Sequence, residues 1–522
     1  MKTGGLVLFI IFALIALFCL AYPIYQNVMV VKKKKEANYP SLIKKEIFFI
    51  AGFSLSFTLM LASIYFMNNM HPKGYEVFFA VFFGMLFSLG IATFINAFIL
   101  HYYGLDFKDN YPSLDKKLFI FMMVSIPVFI IGLLYMTNGY AAYWTYPIPN
   151  MLSFTDGFIY EMAGGGNQGI AFYALFILGG AILVYLLVDH KFYQQYGKHG
   201  LLESTFLVAF PSGIFWARVG YVIGNFQKEF APRFPNEWWS IFAIWEGGIT
   251  ILWGAVGGIV VGALWFLRFR KGYSLALAAD IVVPAILIAQ AIGRWGNFFN
   301  CEVHGEAVDA SYWSWLPTMV VRNGAFSSAT DAPDLLIGEK MYLPLFFIEA
   351  CINLMGYFVL SGLFGKVWRK NTELSDLAYG YIIWYGLTRT ILEPLRYGAF
   401  NMGSHGYWSW IWAMAFVFVG SALIAFNHLY RHFKKKKTNT LVFHGNPLMK
   451  GVISASLISV VSLVGIIVGA VLMSQSSFSL DIVFNKFNIG LILLVLSLSL
   501  LLYLSISVIL ILEGVRRRRE AL

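Results

Sequence analysis

Long apolar runs, each broken by a short polar or basic stretch, govern the reading of this chain. Stretches of about 17 to 25 residues number roughly thirteen. They run over Leu6–Val31, Ile47–Phe66, Val77–Leu100, Leu118–Met136, Gly169–Val188, Thr205–Ile223, Trp245–Phe266, Leu275–Ile292, Leu345–Leu363, Leu377–Leu392, Trp408–Phe426, Val452–Met473 and Ile489–Leu512. A backbone in hydrocarbon must satisfy its own hydrogen bonds, so each run is expected to cross as a helix. The pattern predicts an all-α fold, a polytopic transmembrane helix bundle. Lys32–Lys35 with Lys44 and Lys45, Lys116 and Lys117, His190 and Lys191, Arg268–Lys271, Lys366–Lys370, Lys434–Lys437 and Arg516–Arg519 all fall on one side of that count. Basic loops stay cytoplasmic. The N-terminus is therefore expected outside, the C-terminus in the cytoplasm, and the stretch from Arg294 to Tyr342 facing outward.

Composition sharpens this picture. Of 522 residues, 59% are hydrophobic and 12% charged, too apolar for a soluble multidomain protein. The net charge of +11 sits in loops between apolar runs, which excludes nucleic acid as its reason. Cys19, Cys301 and Cys351 form no metal or disulfide spacing. The first run is longer than a secretory apolar region, its lysines follow it, and it has no small-residue cleavage site, so it reads as a retained span. Phe18 before Cys19 fits no lipobox, and the chain is not expected to be a lipoprotein itself.

One stretch stands out chemically: Gly293-Arg-Trp-Gly-Asn-Phe-Phe-Asn-Cys-Glu-Val-His-Gly305, where an apolar run ends. Ionisable groups near hydrocarbon are costly and mark substrate or ion paths. The glycines let backbone or a neighbouring helix come close. A glycine-rich helix end with solvated polar residues is the plainer alternative, but the number of spaced polar positions favours a site.

These residues resemble the signature of the prolipoprotein diacylglyceryl transferase family, through Gly293, Arg294, Gly296, Asn297, Asn300, Glu302 and Gly305. Asp280 and Pro284 upstream, Trp245, Gly247, Gly248, Gly254 and Gly257, then Pro344 and Glu349, and finally Tyr385, Gly386, Arg389, Glu393 and Arg396 match further family segments in order. Tyr173 and Arg218-Val-Gly-Tyr221 also fit. The resemblance spans roughly Gly165 to Phe433. It divides the chain into an extra N-terminal region of about four helices (1–150), a transferase-like core of about seven (151–433), and a cytoplasmic linker with two C-terminal helices (434–522).

The resemblance implies a bacterial plasma-membrane enzyme with its site toward the outer face. It would move the diacylglyceryl group of phosphatidylglycerol onto the lipobox cysteine of prolipoproteins, releasing glycerol phosphate, without metal or cofactor. An arginine fork suits the phosphodiester, and Arg294, Arg389, Arg396 and Arg218 are the candidates. Arg294, Arg389, Glu302 and His304 are the expected catalytic residues. Asn297, Asn300, Arg396, Glu393, Tyr173, Arg218 and Gly305 are expected to bind substrate. Arg389, Glu393 and Arg396 lie on nearly one helix face, so a helix-fixing ion pair is the alternative for them. Glu302 can orient an arginine or take a proton. Glu246, Glu349 and Asp280 are further acids, expected to face the bundle interior as structural partners or in catalysis.

The incoming thiol needs activation. The family's His-Gly-Gly segment reads Leu252-Trp253-Gly254 here, so the base must be His304, His405 or a carboxylate, or the arginine field must lower the thiol pKa. The long stretch from Asn297 to Leu343, rich in aromatic residues, reads as an ordered lid or as a plain surface excursion. The rivals are a transporter or channel, against which the absence of an internal repeat counts, and an inactive relative that binds lipoprotein precursors.

Overall fold

The computed structural model describes residues 2–33, 39–67, 74–103, 112–142, 146–148, 150–153, 169–233, 236–243, 248, 250–333, 335–368, 372–398, 407–435, 446–477 and 485–522. Trp245, Glu246 and Gly247 of the glycine run, Gly165, His405 and most of the linker after Lys434 lie outside them.

Helices dominate. In chain order they are α1 (Lys2–Lys33), α2 (Tyr39–Met67), α3 (Gly74–Tyr103), α4 (Pro112–Ala142), α5 (Phe172–Tyr196), α6 (Glu203–Asn225), α7 (Ile251–Phe269) and α8 (Leu275–Phe299). Next comes a cap that contains α9 (Thr318–Asn323), followed by α10 (Leu345–Tyr357), α11 (Asp376–Leu392), α12 (Tyr407–Lys435), α13 (Pro447–Ser474), α14 (Lys486–Leu501) and α15 (Leu504–Ala521). Two small antiparallel ribbons, β1 (Met151–Ser153) with β2 (Gly169–Ala171) and β3 (Ala307–Asp309) with β4 (Lys340–Tyr342), accompany short 3-10 turns and two π-helical segments, Phe226–Phe230 and Phe358–Val367, the second continuing α10. Among the described residues, nine helices are long and apolar enough to cross a membrane. The chain is an all-α membrane protein.

Two differences from the sequence pattern matter. The run expected to stop at Ile292 continues as helix to Phe299, so Arg294 and Asn297 are helical residues and not loop residues. The last run is two helices meeting at Leu502 and Tyr503, where the α-helical bonding pattern is interrupted.

α8 is the axis. It packs on α5, α10 and α11 and buries Asp280, Pro284, Ala285, Leu287, Ile288 and Ala291. Its start joins a cluster with Val188, Phe192, Leu201, Leu202 and Phe266, and its end joins another with Phe172, Leu316, Val320 and Phe346. The helices therefore alternate in direction. Lys191, Arg270, Lys366 and Arg431 fall at one end of the bundle, and the signature residues at the other.

Asp280 belongs to the basic end. Its carboxylate accepts the backbone N–H groups of Ser375 (2.9 Å), Leu377 (3.0 Å) and Ala378 (3.2 Å), capping the first turn of α11 from a different helix. In the N-terminal region, Leu100 of α3 and Met122 of α4 pack on Leu186 of α5, which docks that region onto the core.

Candidate active site

The site grows from how α8 ends. The Glu302 N–H donates to Asn297 O (3.0 Å) and the Cys301 N–H to Phe298 O (3.3 Å), the paired bonds of a Schellman stop. Cys301 takes the left-handed position (φ 50°) that glycine usually fills there, and Val303 follows at φ 55°. This sharp stop turns Glu302 back over the last turn of the helix. Its Oε1 accepts from Asn297 Nδ2 (2.8 Å) and Asn300 Nδ2 (3.1 Å), which fixes the carboxylate.

The arginines converge on a second carboxylate. Glu349, on the second turn of α10, places Oε1 2.7 Å from Arg294 Nη2 and 3.7 Å from Arg389 Nη2, with Oε2 3.6 Å from Arg396 Nη2. Glu393 Oε2 lies 3.1 Å from Arg389 Nη1 and 3.4 Å from Arg396 Nε. Arg294 Nη1 donates to Asn297 Oδ1 (3.3 Å), linking both carboxylate centres. These arginine and glutamate side chains are only 2–12% exposed, so the charges act in a nearly dry setting. Arg389 Nε, Arg396 Nη2 and Glu393 Oε1 nevertheless have no hydrogen-bond partner. Guanidinium donors without partners, beside fixed carboxylates, are suited to an incoming anion.

Tyr173, in the first turn of α5, lies within electrostatic reach of Arg294, Glu302, Arg389 and Glu349. It packs where a side chain at Gly296 would come 2.9 Å from its Cα. Glycine there lets α5 and α8 close on the site.

A cap covers this end of the bundle. Gly305 pairs with Arg396 in a β-bridge, and the Tyr397 N–H donates to His304 O (2.9 Å). A Cβ at Gly305 would stand 2.6 Å from Leu395 O, so this join requires glycine. Asn323, 1% exposed, accepts from the Ile148 N–H (2.8 Å) and donates to Phe298 O (3.1 Å), tying the cap to α8. The described residues of the 297–343 stretch thus have structure of their own, in β3, β4 and α9.

His304 belongs to the cap. It is buried and stacks on Tyr342 with ring centroids 4.0 Å apart. Its Nδ1–H donates to Gly305 O (2.9 Å), which leaves Nε2 to accept from Ser327 Oγ (2.6 Å). Burial pushes its pKa below the usual imidazole value, outweighing the backbone bond. Burial likewise lifts the Cys301 thiol to about 11.

Arg218 stands elsewhere. Its guanidinium donates to Ile241 O (2.9 Å), Gly248 O (3.0 Å) and Ser240 O (2.6 Å), clamping the segment before α7. The structure therefore gathers Arg294, Asn297, Asn300, Glu302, Arg389, Glu393, Arg396 and Tyr173, joins Gly305 to them through the cap, and puts Arg218 on backbone. Sequence reasoning left Glu349, the hub of the ion pairs, among the unassigned acids. Its signal was a lone glutamate inside an apolar run.

The family model described as prolipoprotein diacylglyceryl transferase matches residues 163–426. The phosphatidylglycerol–prolipoprotein diacylglyceryl transferase of Lactococcus lactis subsp. lactis is 32% identical over 270 residues, 52% of this chain and 93% of the relative. That of Bifidobacterium adolescentis is 36% identical over 236 residues, 44% of this chain and 67% of the relative. That of Streptococcus pyogenes is 32% identical over 236 residues, 44% of this chain and 81% of the relative.

Proposed function

The chain belongs to the prolipoprotein diacylglyceryl transferase family, and from that premise we infer that it transfers diacylglyceryl from phosphatidylglycerol to the cysteine thiol of prolipoproteins. The observation that carries the mechanism is the convergence of Arg294, Arg389 and Arg396 on Glu349 at one end of the bundle.

The lipid phosphate takes the unpartnered N–H donors of Arg389 and Arg396, while Glu349 and Glu393 hold those forks in place beforehand. Arg294, fixed by Glu349 and Asn297, completes the clamp. The lipobox thiolate attacks the glyceryl carbon that bears the phosphate ester. A C–S bond forms, the C–O bond breaks, and glycerol phosphate leaves with the bonding pair, its charge stabilised by the guanidinium groups. The product is a thioether.

Glu302 is the acceptor of the thiol proton in this scheme. Both amides bind its Oε1, which leaves Oε2 for the substrate. The arginine charge is largely matched by carboxylates, which argues against the field alone as activator, and the satisfied ring nitrogens of His304 argue for a cap-fixing role. Leu252 supplies no base.

The reading has roughly thirteen spans, an outside N-terminus and a cytoplasmic C-terminus, with the site at the outer leaflet of the bacterial plasma membrane. Support comes from the basic residues at the bundle end opposite the site. The core within 151–433 carries the reaction, with 1–150 and 434–522 as added membrane regions. The test is glycerol phosphate release by the purified chain from phosphatidylglycerol. Release that requires a lipobox peptide, and stops when its cysteine is replaced by serine, supports the reaction; release independent of the thiol refutes it.

A further inference from the structure

Beneath the arginine cluster lies a polar group that the reaction as described does not use. Gln290 sits one helical turn before Arg294 on α8, and Tyr381 two turns before Arg389 on α11. Gln290 Nε2 donates to the Tyr381 hydroxyl over 2.9 Å. At about 1.5 Å of rise per residue, Gln290 is about 6 Å deeper in the bundle than Arg294.

The donors and acceptors do not balance. Gln290 Oε1 is buried without a partner, and the Tyr381 hydroxyl, having accepted one bond, still carries its own proton. Turning the amide round lets Tyr381 donate to Oε1 and frees the amide N–H groups instead. Either orientation leaves an unused donor. Trp384, one turn further along α11, adds another, since its indole N–H is buried without a partner and an indole can only donate. It packs against Gly356 of α10. Unpaired donors inside a membrane bundle are costly to keep, and that cost is met when a ligand supplies acceptors.

We propose that the Gln290–Tyr381 pair, with Trp384 beside it, positions the ester carbonyls of the diacylglyceryl group. This rests on the reading that the arginine cluster holds the phosphate of phosphatidylglycerol. With the phosphate there, the glycerol points deeper, and its two ester carbonyls are acceptors without protons. An ether-linked lipid of equal length has the same headgroup and lacks those carbonyls, so the enzyme distinguishes the two linkages.

The experiment compares kcat/KM of the full-length chain for diester and diether phosphatidylglycerol of matched chain length, with one lipobox peptide as acceptor. The parent is expected to prefer the diester by about tenfold. Tyr381→Phe lowers that ratio, and the Gln290→Leu/Tyr381→Phe double variant brings it near one. The double variant removes both partners together and strands neither, which protects its folding. A parent ratio near one, or a double variant that keeps the parent ratio, overturns the ester site while the phosphate reading stands. A parent that transfers from neither lipid overturns both.

Discussion

Arg294 and Glu349 meet at 2.7 Å, joining the signature helix to a helix more than fifty residues further along the chain. The same Glu349 oxygen faces Arg389. One carboxylate thus sets the spacing of the cationic groups that the proposed mechanism uses.

Removing that carboxylate leaves buried guanidinium groups facing one another. Glu349→Ala is expected to destabilise the chain by about 3 kcal/mol, the scale for stripping one partner from a buried ion pair. Thermal unfolding in detergent measures it. An unchanged midpoint would show that the cluster relaxes freely or is already hydrated.

Lysine in place of Arg294 or Arg389 keeps the charge and loses the fork. Each substitution is expected to lower transfer by about 10²-fold, as for other lost transition-state donors, with normal membrane insertion. Near-parental turnover in both would mean that positive potential alone suffices.

How far the sequence carried is clear from α8. Its apolar run pointed to a span, but Arg294 and Asn297 looked like the end of it. They remain helical because Glu349 and Glu302 satisfy them, and hydropathy along one segment cannot register a partner on another helix. The same holds for Gln290, whose partner Tyr381 is 91 residues away. Arg389 and Glu393 were legible because their pairing is local, four residues apart across the end of α11, whereas Arg396, expected on the same helix face, lies past that end in extended backbone bridged to Gly305. Arg218 carried the same signal as the other arginines, and only the fold shows its bonds to backbone carbonyls.

The cap has its own acid sensitivity. The folded pKa of His304 lies below the unfolded value, so the unfolded state binds the proton more readily. Its contribution is therefore present above the unfolded pKa, about 6.5, and is lost as pH falls through the folded value. The protection of cap amides such as Tyr342 against hydrogen exchange, taken relative to the intrinsic rate at each pH, is expected to fall in acid, and His304→Gln to flatten that dependence. Protection that falls equally in the variant would assign the effect to another group.

Cys301 occupies a left-handed position and holds a thiol near 11. At pH 8 about one in a thousand of its molecules is thiolate, so alkylation there should be far slower than for a free peptide cysteine. Cys301→Gly, which suits the backbone, is expected to retain transfer. Loss of activity in that variant would make Cys301 a participant and would conflict with a reacting sulfur that comes only from the substrate.

Mass spectrometry of a lipobox peptide after incubation with the purified chain and phosphatidylglycerol tests the central claim most directly. The account predicts a thioether-linked diacylglyceryl group on the peptide cysteine with the parent, and a strong loss of that product with Arg294→Lys and with Glu302→Gln. An unmodified peptide with folded parent, or undiminished product in both variants, would contradict it.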